Sequence, residues 1–249
     1  MTIWRLELLR LFRTFRWAGL AASYLVFGIL GPVITRYQEA LFRNVGGDIK
    51  MIVPPPSAPQ AIASYVGNAS QIGLLVTIFI AAGSLAFDAR PEWAAFLRTR
   101  ASSIGGIVLP KFAVNAAAAA TSFAVGAVAA WLLTSVLIDD VPVGAMLAGI
   151  VLWAVYLAFA VSVVALAAGL SRSVIGAAGI TAVVLLVMPL GAEVLGVAKP
   201  WMPSTLVGSL TAMVAGGSAT EYLRAVGVAA LATAACLLAA ERLLRRREL

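Results

Sequence analysis

Six unbroken apolar stretches, each long enough to cross a lipid bilayer as a helix, restrict what this chain can fold into. They cover 17–34, 69–87, 112–138, 143–170, 174–194 and 222–240. Inside hydrocarbon every backbone N–H and C=O has to find a partner within the protein, so only helices and closed barrels span. Barrel strands alternate apolar and polar residues, and these runs do not. The expected fold is an all-α integral membrane protein with six transmembrane helices in one domain over 1–249. Composition agrees: with 62% hydrophobic and 12% charged residues, the chain cannot cover a water-facing surface with polar groups. Trp17, Trp131, Trp153, Tyr65 and Tyr222 fall near span ends or one to two turns inside them, a partial aromatic belt.

Basic residues set the expected orientation. Thirteen of the eighteen Lys and Arg lie before the first span, between spans two and three, between four and five, or after the sixth. Arg36, Arg43, Lys50 and Lys199 lie on the other side, and Arg224 sits at the edge of span six. The positive-inside rule then puts both termini in the cytoplasm. The net charge of +7 is read as this bias and not as a nucleic-acid surface. A cleavable leader is the rival reading of the N-terminus. The run from Trp17 exceeds a signal core of about 7–15 residues, and no small-residue cleavage site follows it.

The segments between the spans carry more individual character. Residues 2–16 read as an interfacial helix, with Trp4, Leu8, Leu11 and Phe15 toward the acyl chains and Arg5, Glu7, Arg10 and Arg13 away from them. The loop 35–63 holds Gly46-Gly47 and Pro54-Pro55-Pro56, which favour an extended spacer or cap on the outside. Asn68-Ala69-Ser70 matches a glycosylation sequon but enters a span, so it reads as chance.

The cytoplasmic segment 88–111 is expected to hold a short helix. Asp88 and Pro91 suit its start, Glu92 its first turn, and Arg98 and Arg100 its end. Trp93, Phe96 and Leu97 share one apolar face, suited to a groove on a cytosolic partner or to the membrane surface. Residues 193–221 are apolar but broken by Lys199-Pro200-Trp201-Met202-Pro203, with Gly208 inside and Ser204 as a candidate cap. This reads as an external re-entrant hairpin, its gate residues being Glu193, Pro200, Trp201, Pro203 and Gly208. Irregular backbone at membrane depth needs protein or a water-lined cavity around it, which argues for a pathway.

Several chemistries are missing. There is no histidine, and the single Cys236 lies in an apolar run, so Ser-His hydrolysis and intrachain disulfides drop out. No phosphate-binding G-x-x-x-x-G-K-[ST] loop occurs, and no metal-ligand spacing. Span centres carry no Asp, Glu, Lys or Arg, the residues of proton relays and ion-coupled carriers. No catalytic, cofactor or metal site is expected. Small residues in 115–121 and at Gly169, Gly176 and Gly179 allow close helix packing, within the bundle or against a second copy.

This order of parts resembles the permease subunits of ABC-2 type ATP-binding-cassette transporters, with a type V exporter-like architecture. The sharpest local match is Glu92, Phe96-Leu97, Thr99-Arg100-Ala101, Ser102 and Lys111. Ala101 stands where the family commonly has proline, and the usual Gly-Thr after the glutamate is absent. The resemblance implies that Glu92, Trp93, Phe96, Leu97, Arg98 and Arg100 form the coupling helix, seated in a separate ATPase subunit that binds ATP and Mg. It also implies a second permease chain, identical or not, a prokaryotic-type plasma membrane, and export of a lipidic, amphipathic or drug-like substrate. The alternative is a non-transporting scaffold or immunity-type subunit that binds a cytosolic partner through the same helix.

Overall fold

A computed structural model describes residues 2–45, 55–89, 91–99, 103–194 and 196–246. Among these residues the regular elements are all helical: α1 (Ile3–Arg13), α2 (Arg16–Val45), α3 (Ala58–Asn68), α4 (Leu74–Leu85), α5 (Pro91–Arg98), α6 (Gly105–Leu137), α7 (Val143–Leu170), α8 (Val174–Val194), α9 (Ser209–Val214) and α10 (Leu223–Arg245). A π-turn over Ala69–Gly73 splices α3 to α4, and 3-10 turns cover Phe87–Ala89, Gly196–Trp201, Pro203–Gly208 and Ala219–Tyr222. Five segments are long and apolar enough to cross a membrane: Arg16–Ala40, Ala58–Leu85, Gly105–Leu137, Val143–Leu170 and Ala219–Arg245. The chain is therefore built as an all-α, multi-pass membrane protein.

Contacts between helix ends fix how the chain runs. Ser84 of α4 and Lys111, early in α6, meet at Glu7 of α1. Glu241, late in α10, stands beside Gly105 at the start of α6, and Gly169 at the end of α7 lies against Ala240 and Leu243 of α10. Both ends of the described chain thus share one end of the bundle, the terminal end. The starts of α3, α7 and α10 lie at the other, far end. Between the end of α7 and the start of α10 the chain has to change ends. The element between them is α8, about 31 Å long at about 1.5 Å per residue.

The centre is organised by a close crossing of α2 on α6. Leu20, Tyr24, Gly28, Gly31 and Thr35 form the buried stripe of α2, spaced by three or four residues as helix packing requires. A Cβ on Gly28 would overlap the Gly126 carbonyl, and one on Gly126 would stand 2.5 Å from the Tyr24 carbonyl oxygen. Gly31 meets the backbone of Tyr65 in the same way. Pro32 has no N–H for the Gly28 carbonyl, so the helix is already loosened where it crosses. Lipid is as apolar as leucine, so close backbone approach, not hydrophobic burial, is what favours such a crossing.

An aromatic column fills the space beside it. The Phe123 and Trp153 rings stack at 4.3 Å and 8°, with Tyr24, Tyr65 and Tyr156 packed at their edges. Each such pair contributes about 0.5–1.5 kcal/mol beyond its area. The Tyr65 hydroxyl donates to the Phe123 carbonyl at 2.8 Å, and the Tyr24 and Thr77 hydroxyls bond at 2.9 Å. Residues spaced by four drift about 40° per step around an α-helix. The wider π-turn offsets part of that drift, so Tyr65, Gly73 and Thr77 all stay toward α2. α7 is the inner helix, with 67% of its apolar window buried, and α10 lies outermost at 17%.

The limits of α7 and α8 coincide with the expected spans 143–170 and 174–194. Others differ. Span one, expected to end at 34, continues as helix to Val45, and span two begins at Ala58 instead of 69. The expected loop 35–63 is thus helical up to Val45 and again from Ala58, where polar residues such as Gln38 and Gln60 extend the helices and bond to each other at 3.0 Å. Gly46-Gly47 and Pro54 lie outside the described residues. Span three starts at Gly105, so Lys111 lies inside α6 and does not open it. Span six, expected over 222–240, runs on to Arg245. Asn68 is helical, its amide donating to the Ser64 carbonyl at 2.8 Å, in keeping with a chance sequon.

Adding a methyl group at the crossing should be costly where it meets backbone and harmless where it meets nothing. Gly126→Ala is expected to lower the detergent melting temperature by several degrees, from about 1–3 kcal/mol of overpacking. Gly227→Ala, with open space around it, should leave the melting temperature unchanged or raise it. Equal effects in a fluorescence melting series would contradict the crossing.

Candidate functional site

At the terminal end the sequence places one acid among four arginines: Glu7, with no further acid until Glu39. α1 turns Glu7 and Leu11 toward α6, while Trp4, Leu8, Phe12 and Phe15 stay exposed. Leu11, expected in the lipid stripe, and Glu7, expected toward headgroups, therefore both pack inward. The reason is a partner: the Lys111 ammonium donates to Glu7 Oε1, and both side chains are buried. Ser84 Oγ donates to Glu7 Oε2 at 3.2 Å, and Arg10 Nη1 lies 3.9 Å from Oε1. The Asn115 amide donates to the Lys111 carbonyl at 2.7 Å. The Lys111 ammonium also stands 5.9 Å from the centre of the Phe87 ring, in the turn that leads to α5. One buried pair thus ties together α1, α4, α6 and the root of α5.

Burying two charges costs several kcal/mol per ion, which their attraction and extra hydrogen bonds have to offset. A small cleft beside the pair is lined by Glu7, Arg10, Arg16, Ser84 and Asn115. α1 itself turns into α2 through Phe15, whose φ of +52° is left-handed and uncommon for a bulky side chain.

α5 occupies the same end. Ala94 and Leu97 face the core, Leu97 being 1% exposed, whereas Glu92 and Phe96 lie on the surface. Leu97 anchors the helix and does not share an outward face with Phe96. The side chains of Trp93 and Arg98, and all of Arg100, lie outside the described residues.

The far end holds the broken apolar segment. It forms two 3-10 turns and the one and a half turns of α9, none long enough to span. Ser204 makes no cap; Pro203 begins its turn, buried, and Gly208 ends it before α9. Leu206, Ser209 and Leu210 are buried, and Gly149 of α7 leaves the room that Leu210 fills. The Trp153 indole N–H donates to the Val207 carbonyl at 2.7 Å. Trp153 lies about 15 Å along α7, about 5 Å short of its midpoint at about 1.5 Å per residue. The segment therefore dips deep into the bundle, where irregular backbone is tolerated only inside protein.

Of the expected gate residues, Pro200 and Trp201 close the first 3-10 turn, and the Arg224 guanidinium sits 5.3 Å from the centre of the Trp201 ring. Glu193 belongs to α8, and its side chain lies outside the described residues. The Glu7–Lys111 pair and the Trp153–Val207 bond escaped the sequence reading. A lone acid in a basic arm signals the first, and a tryptophan well inside a span signals the second. No family model, no curated protein and no solved structure matches the chain.

Two measurements check this geometry. Glu7→Gln or Lys111→Met alone should cost about 3–5 kcal/mol by stranding a buried charge. The double variant should recover much of the loss, and strictly additive losses in detergent melting would mean the two are not coupled. Trp153→Phe keeps a ring in the stack but removes the donor. It should cost about 1 kcal/mol and speed hydrogen exchange over 203–214, while exchange in α10 stays unchanged.

Proposed function

We propose that the chain is the membrane-spanning permease subunit of an ATP-driven ABC transporter, of the ABC-2 type with six spans, exporting a lipidic or amphipathic substrate. The observation that carries this reading is α5, a short helix anchored by Ala94 and Leu97 that keeps Glu92 and Phe96 on the surface. The turn at its root abuts a buried ion pair joining three other helices. Force applied at α5 has a buried polar route into α1, α4 and α6. α8 supplies the sixth crossing, because the chain changes ends between α7 and α10.

In this reading the terminal end faces the cytoplasm, where the basic residues concentrate. α5 seats in a separate ATPase subunit, which holds ATP and Mg. The pore is completed by a second permease chain. Spans without central charges suit an amphipathic cargo better than an ion, and the deep segment 203–214 lines or closes the outward path.

The test is co-purification with an ATPase encoded beside it, followed by reconstitution in liposomes. ATP-dependent movement of a fluorescent lipid analogue is expected. Absence of both an associated ATPase and ATP-dependent flux would reject the reading. Trp93→Glu with Phe96→Asp should cut ATPase stimulation at least tenfold and leave the melting temperature unaltered. Unchanged stimulation would remove α5 from the interface.

A further inference from the structure

We infer that the far end carries a binding site for a phosphate diester bearing a primary ammonium, the chemistry of a phosphoethanolamine headgroup. A cleft of about 670 Å³ opens there, lined by Lys199, Thr205, Thr220, Glu221, Tyr222 and Arg224. Its size is in the range of small-molecule sites. Its position is that of a headgroup: it sits at the mouth of the span Ala219–Arg245, with Trp201 and Tyr222 as the ring-bearing, polar-tipped residues typical of a membrane interface.

The charges in the cleft are of both signs. The Arg224 guanidinium lies over the Trp201 ring, a cation–π contact that still leaves its N–H groups to meet an anion. Lys199 adds positive potential to the same cleft. Glu221 lies one turn before Arg224, yet no ion pair joins the two among the described residues. A neighbouring cation and carboxylate held apart suit a ligand that carries both charges. The phosphate is placed at Arg224, with the Thr220 hydroxyl as a further donor, since Ser218 can supply the proton between those two hydroxyls, and the ammonium at Glu221. A quaternary ammonium fits less well, since it cannot hydrogen-bond and Arg224 already occupies the Trp201 face. A glycerol headgroup supplies no cation for Glu221. This assignment needs only that the chain spans a membrane and stands apart from the question of an ATPase partner.

Calorimetric titration of the full chain in detergent tests it, with dihexanoyl phosphatidylethanolamine, phosphatidylglycerol and phosphatidylcholine, and water-soluble glycerophosphoethanolamine, as probes. The wild type is expected to bind the ethanolamine lipid at least fivefold more tightly than the glycerol or choline lipid. Arg224→Gln should weaken every phosphate probe about tenfold. Glu221→Gln should abolish the preference for ethanolamine while leaving the glycerol lipid bound as before or better. Lipid binding tighter than soluble glycerophosphoethanolamine identifies a membrane lipid as the source, and equal binding identifies a soluble ligand of the same chemistry. Both residues are exposed, so matching melting temperatures will show that the variants fold. Equal affinity of the wild type for all three lipids, or unchanged affinities in Arg224→Gln, overturns the assignment.

Discussion

The close approach of α2 and α6 at Gly28 and Gly126 is the contact from which the interior follows. With no side chain on Gly126, the Tyr65 hydroxyl reaches the Phe123 carbonyl across the crossing. That bond and the edge contact with Tyr24 hold Phe123 where Trp153 can stack on it. The stacked indole in turn offers its N–H to Val207. A chain of contacts therefore runs from two missing methyl groups to the depth of the re-entrant segment. In lipid, where apolar surface gains nothing by leaving its solvent, shape and hydrogen bonds have to supply that order.

The Glu7–Lys111 pair solves a different problem. An amphipathic helix has its oily side claimed by the acyl chains, and Trp4, Leu8, Phe12 and Phe15 are exposed on that side. Holding α1 against the bundle then falls to its other side, where Glu7 packs beside Leu11 with Ile3 and Leu6 partly buried. A buried carboxylate with a single well-matched ammonium is a selective anchor, since a mispaired docking would strand charge in a medium that cannot solvate it. The left-handed Phe15 sets the angle at which α1 leaves α2, and the ion pair meets it at that angle.

Hydropathy alone located the helical class and the limits of α7 and α8, because α7 is apolar from end to end and α8 as far as its last turn. It failed where helix and membrane do not end together. Polar residues from Thr35 onward look like a loop to a hydropathy scan, yet α2 and α3 continue through them, tied by Gln38 and Gln60. It also separated an apolar stripe from a polar one on α1 without showing which stripe meets protein, so Glu7 and Leu11 were turned the wrong way. Leu97 was grouped with Phe96 by helical spacing, although only burial separates an anchoring leucine from a surface phenylalanine. The re-entrant segment was readable from its prolines, but its depth was not, because that is set by one indole on a neighbouring helix.

The buried ion pair also imposes an order on synthesis. Glu7 is made 104 residues before the lysine that neutralises it. At about 5–20 residues per second, the first helix waits on the order of 5–20 s with its carboxylate still at the water-facing surface. During that interval α1 behaves as a free amphipathic arm, and α2 through α4 are inserted without it. Docking of the oldest helix thus cannot precede the arrival of α6.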